Sequence, residues 1–199
     1  AAEITVRVIQ NGILRGNLAV QLQSEGIFTE KVIKFLNRGF TVKIEYTVEL
    51  WQSRKLWFDQ LNSQRNISFH INFNPLEKQY ICIKSQQGSI VASKHERQLD
   101  KITQWITHPE PPLIFVPVGQ LDPQISYYYN IELLISTLTA EDIKDLQRWL
   151  SEFGGKGNES AVGKTSFNVV ADFLSSRNNK KVSIRSGQFR LYELPKLSK

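Results

Sequence analysis

The run Phe40, Val42, Ile44, Tyr46, Val48 and Leu50 alternates without a break with Thr41, Lys43, Glu45, Thr47 and Glu49, and it limits what this chain can fold into more than any other feature. Successive side chains of an extended strand point to opposite faces, so the run makes one long strand with a dry side and a wet side. Ile67, Phe69, Ile71 and Phe73 repeat the period against Ser68, His70 and Asn72, until Asn74-Pro75 ends the strand. Faces of unlike polarity fit antiparallel pairing, because strands of a parallel sheet are apolar on both sides. The expected fold is mainly β with flanking helices, an α+β arrangement built as an antiparallel β-sandwich-like domain.

The remaining segments fit around that sheet. Residues 4–8 and 13–22 read as a hairpin about the Asn11-Gly12 turn signal. A short helix follows, with Thr29 as N-cap, Phe28 and Ile33 as a hydrophobic staple, and Gly39 as its stop. Ser93-Lys94-His95-Glu96 has capping-box spacing and predicts a helix over 93–106, ended by Pro109, Pro111 and Pro112. Strands are expected over 113–118 and 126–136. Thr139 then caps a helix with the stripe Ile143, Leu146, Leu150 and Phe153. A glycine-rich linker near 154–160 precedes a basic C-terminal segment with one further helix and strands at 182–184 and 189–191. All 199 residues are read as a single domain, and a hydrophobic content of 41% supports a sizeable core. No run approaches the roughly 18 apolar residues that cross a bilayer as a helix.

Charge is unevenly placed. The formal net charge is +6, yet residues 1–153 carry 16 basic and 16 acidic side chains, whereas residues 154–199 carry nine basic and three acidic ones. Arg177, Lys180, Lys181, Arg185 and Arg190 therefore form a candidate contact surface for an acidic protein or an anionic membrane, and a solvated face is the alternative. Tyr127, Tyr128 and Tyr129 join them as candidates. On one strand the first and third share a face and the second points opposite, so at least one is expected outside the core. Trp51, Trp57, Trp105 and Trp149 read mainly as core or core-edge residues. Nucleic acid is a weaker candidate partner, because no RNA-binding signature of aromatic and basic residues is present.

No motif of chemistry emerges. Residues 157–165 resemble a phosphate-binding loop, but five residues separate the glycines where such loops have four, and a helix precedes them instead of a buried strand. His70, His95 and His108 lack metal-ligand spacing. A hydrolase site could use them only by assembling distant residues. The single cysteine, Cys82, stands in the apolar run Tyr80 to Ile83 and is expected to be a buried, inert thiol. No cofactor or metal site is expected. A chain that begins Ala1-Ala2-Glu3 and contains no methionine is expected to have lost a leader, a trimmed front end being the alternative.

Several local patterns together resemble the bacterial family called domain of unknown function 4390. They are the helix ending in Gly39 with its long alternating strand, Arg54-Lys55-Leu56-Trp57-Phe58-Asp59, Asn74-Pro75-Leu76 with Tyr80, Tyr129-Asn130-Ile131-Glu132-Leu133, and Ser186-Gly187-Gln188-Phe189. The resemblance implies an exported or envelope-associated protein and carries over no catalytic residues. The leading expectation is an exported, non-enzymatic binding or envelope-associated module of periplasmic location. A hydrolase and a nucleic-acid binder acting through the basic C-terminal segment are the alternatives.

Overall fold

The alternating run becomes strand β3 (Thr41–Ser53), whose inward residues Val42, Ile44, Tyr46, Val48 and Leu50 are all fully buried. Each contributes about 1.5–3 kcal/mol of apolar burial, which offsets the entropy of holding so long a strand extended. A computed structural model describes residues 3–138 and 179–198 of the chain. Its other strands are β1 (Thr5–Leu14), β2 (Asn17–Glu25), β4 (Gln60–Asn74), β5 (Gln79–Gln86), β6 (Ser89–Glu96), β7 (Leu113–Pro117), β8 (Ser126–Leu138) and β9 (Asn179–Arg185). The helices are α1 (Glu30–Asn37) and α2 (Leu99–Thr107).

Two antiparallel sheets result, a three-stranded one in the order β1-β2-β7 and a six-stranded one in the order β6-β5-β4-β3-β8-β9. One core joins them, from Val6, Leu18, Val20 and Leu22 on the small sheet to Ile44, Phe69, Ile131 and Leu133 on the large one. The α+β, sandwich-like fold is as expected. Among the described residues no helix is long and apolar enough to cross a membrane.

Helix α2 contributes Ile102 and Ile106 to the shared core. The Tyr46 hydroxyl ties it down, donating to the Ile106 carbonyl at 2.9 Å and sharing a 2.5 Å hydrogen bond with Ser24 Oγ. Trp105 packs edge-on against Phe69, 5.4 Å between centroids. Arg65 fastens β4 to the free edge of β7, donating through Nε to the Ile114 carbonyl at 2.9 Å and through Nη2 to that of Phe115. Lys84 is buried on the inner face and donates to the Glu110 carbonyl at 2.6 Å. Burial lowers its pKa from the ordinary lysine value.

Four local expectations are corrected. The first hairpin turns at Arg15-Gly16, both at positive φ, whereas Asn11-Gly12 lies inside β1. A Cβ on Gly12 would stand 2.5 Å from the Pro195 carbonyl oxygen, so this glycine admits the tail that runs beside β1, bonded Ile13 N to Pro195 O and Leu197 N to Ile13 O at 2.8 Å each. Ser93 to Glu96 is not a helix start but the end of β6, paired to β5; α2 begins later, after Gln98, with no side-chain cap. Residues 189–191 form a single bridge from Phe189 to Tyr127 and then the short 3-10 turn Leu191–Glu193. Trp57 is exposed instead of core. By contrast, α1 has its Thr29 cap, which accepts from Val32 N, and Gly39 follows at φ 85°. The expected helices at 139–153 and 167–174 and the glycine-rich linker lie outside the described residues.

Candidate interaction surface

Connecting β3 to β4, the chain passes through Arg54, Lys55, Leu56, Trp57, Phe58 and Asp59. Alternation stops at Ser53, so nothing assigns these side chains to the inner face of a sheet. Leu56, Trp57 and Phe58 are 91%, 79% and 94% exposed, three consecutive large apolar residues at the tip of the longest hairpin. Isolated exposed apolar side chains need no explanation, but a contiguous cluster marks an interaction site.

The base of this loop is fixed while its tip is bare. One carboxylate does the fixing: Asp59 Oδ1 accepts from Arg54 N at 3.1 Å, and Oδ2 accepts from Tyr128 Oη at 2.8 Å and Arg185 Nη2 at 2.9 Å. The hydrogen bond from Tyr128, followed by that from Arg54 N, holds the Asp59 carboxyl below its usual pKa. Behind Leu56 and Trp57 opens a cleft of about 500 Å³ between the loop and the start of β8, into whose walls Arg54, Lys55 and Arg190 contribute cationic side chains.

The residues nominated from sequence are divided by this geometry. Tyr127 and Tyr129 lie in the core, and Tyr128, on the opposite face of the strand as alternation requires, lies outside it although it too is covered. Tyr127 and Tyr129 face inward, with their rings 6.3 and 5.3 Å from that of Phe189, and the Tyr129 hydroxyl donates to Asn11 Oδ1 at 3.0 Å. Tyr128 faces outward but lies under the Arg185 guanidinium, 3.7 Å from its ring centroid. A stacked, hydrogen-bonded guanidinium does the work of a second layer of protein.

The basic residues do not form one continuous cationic face among the described residues. Lys181 and Arg185 share the outer side of β9, and each meets a carboxylate, Glu132 at 2.6 Å and Asp59 at 2.9 Å. Lys180 projects to the other side, as alternation requires. Arg190 stands away from both, at the cleft, its Nε donating to Ser126 Oγ at 3.4 Å. Arg177 and residues 157–165 lie outside the described residues.

The three histidines fall on separate elements: His70 on β4 opposite Lys43 and Ile83, His95 on β6, and His108 at the end of α2. Among the described residues no three His, Cys, Asp or Glu side chains are grouped to hold a metal ion. Cys82 is buried, and burial pushes its thiol up to about 12. It has the inert character expected of it.

Sequence reasoning passed over the apolar tip, taking Trp57 for core. The signal was present: between the alternating runs 40–50 and 67–73, Leu56, Trp57 and Phe58 stand consecutively, outside the period of two, with Arg54 and Lys55 before them and Asp59 after.

Residues 1–150 match the family model described as Domain of unknown function (DUF4390). Neither a curated protein nor a solved structure matches the chain.

Proposed function

Because the chain belongs to the DUF4390 family, whose description assigns no activity, we propose a function from its surfaces: an exported, envelope-associated module that acts by binding, with the β3–β4 tip as its contact surface. The observation that carries this reading is the exposure of Leu56, Trp57 and Phe58 above a base pinned by Asp59. Exposed apolar side chains cost solubility, and a fixed base lowers the entropy lost when such a tip is occupied. Both features suit contact with a partner. Placing the partner in the envelope accounts for an apolar tip backed by the cations of Arg54, Lys55 and Arg190.

Fractionation of cells making the native protein tests the proposal. The protein is expected in the envelope fraction, and Leu56→Ser, Trp57→Ser and Phe58→Ser together are expected to release it. Recovery of the native protein from the cytoplasm, or an unchanged distribution of the triple variant, overturns the reading.

A further inference from the structure

We infer that the occupant of the tip is the interface of a phospholipid bilayer carrying anionic headgroups, with Leu56, Trp57 and Phe58 entering it and Arg54, Lys55 and Arg190 meeting phosphate behind them. The inference rests on the reading of the tip as the contact surface and names what that surface touches.

Shape is the first argument. Leu56, Trp57 and Phe58 are consecutive, and the rest of the protein leaves each of them largely uncovered. A protein partner would need a socket shaped to all three. A bilayer interface surrounds them without prior complementarity.

Chemistry and position give the second. Tryptophan favours the headgroup level of a bilayer, whereas leucine and phenylalanine enter its acyl boundary. Arg54 and Lys55 directly precede the apolar residues, and the cleft brings Arg190 to the same side. That places positive charge where headgroup phosphates lie when the tip is inserted. The cleft wall is apolar at Leu56 and Trp57 and cationic at these three residues, which matches a lipid at its glycerol-phosphate level. Arg185 does not contribute, since it is held by Asp59 and stacked on Tyr128.

Strength gives the third. Three apolar side chains alone, like a single acyl chain, give only marginal membrane binding, and a second, electrostatic signal is needed for retention. Binding is therefore reversible, selective for anionic lipid and weakened by salt.

Flotation of the full chain with vesicles tests this, comparing phosphatidylcholine alone with phosphatidylcholine mixed with phosphatidylglycerol. We expect flotation with the mixed vesicles, at least about tenfold weaker at high salt. Leu56→Ser with Phe58→Ser is expected to abolish it while leaving the melting temperature unchanged, because both side chains are already in water. Arg54→Ala with Lys55→Ala is expected to remove the preference for phosphatidylglycerol. Soluble glycerol phosphate separates the two sources of phosphate: failure to compete supports a lipid held by its tails as well, and complete competition shows a site for free phosphate and overturns the inference. Absence of flotation at low salt, or equal flotation of the Ser variants, also overturns it. If the tip still directs envelope retention in cells while vesicles fail to bind, the contact surface stands and its occupant is a protein. If neither occurs, both readings fall.

Discussion

His70 shows how one side chain's surroundings reach a solution property. Burial, reinforced by the Lys43 ammonium and opposed by Glu45, holds its imidazole below the ordinary value of 6.5. Below that value the unfolded chain takes up a proton more readily than the folded one, so the stability His70 contributes is lost as pH falls. His70→Gln, which cannot titrate, is expected to show a smaller drop in melting temperature between about pH 7.5 and about pH 5.5 than the parent protein. Equal drops would contradict the assignment. Single residues were also where sequence reasoning was least complete. The dry side of β3 was legible because five inward residues repeat one choice. Nothing comparable announces that Gly12 makes room for Pro195, or that Tyr128 is covered by an arginine 57 residues later. These depend on which distant segment arrives, which no local pattern encodes.

At the scale of elements, β7 is held from both sheets. It pairs with β2 on one side, and on the other its carbonyls at Ile114 and Phe115 are met by Arg65 from β4. A hydrogen bond to a charged group contributes about 1.5–3 kcal/mol. Arg65→Ala is therefore expected to lower the unfolding free energy by about that amount, and Arg65→Lys to restore only part, because an ammonium lacks the two-pronged guanidinium geometry. Urea titration reads this directly, and an Ala variant as stable as the parent would contradict it. The same contrast explains which elements could be read from sequence. β3, the second half of β4, β8 and α1 follow from periodicity and a cap, whereas the spacing at the end of β6 predicts a helix start. Ser93 and Glu96 have capping-box spacing, yet Lys94, His95 and Glu96 pair with Cys82, Ile81 and Tyr80. Tertiary pairing outweighed a local cap signal, as it does when a sheet edge is available.

The described residues form two sheets that share a core, with a pole where that core gives way to exposed apolar and cationic side chains. Summed charge pointed to the part after residue 154. In the described structure, however, Lys181 and Arg185 are committed to Glu132 and Asp59, while Arg54 and Lys55 from the electrically balanced part stand at the tip. Net charge reports composition, whereas function at a surface depends on which charges lie next to what. The candidate site was visible in the sequence only as a break between two strands. Recognising it needed the exposure of Leu56, Trp57 and Phe58, which is a property of the folded hairpin. Photo-crosslinking in intact cells distinguishes this pole from the rest of the surface, with a photoreactive amino acid replacing Trp57 or, as a comparison, Ile90 on the exposed edge strand β6. Adducts with lipid from position 57 and none from position 90 are the predicted result; adducts from position 90 with none from position 57 would contradict it.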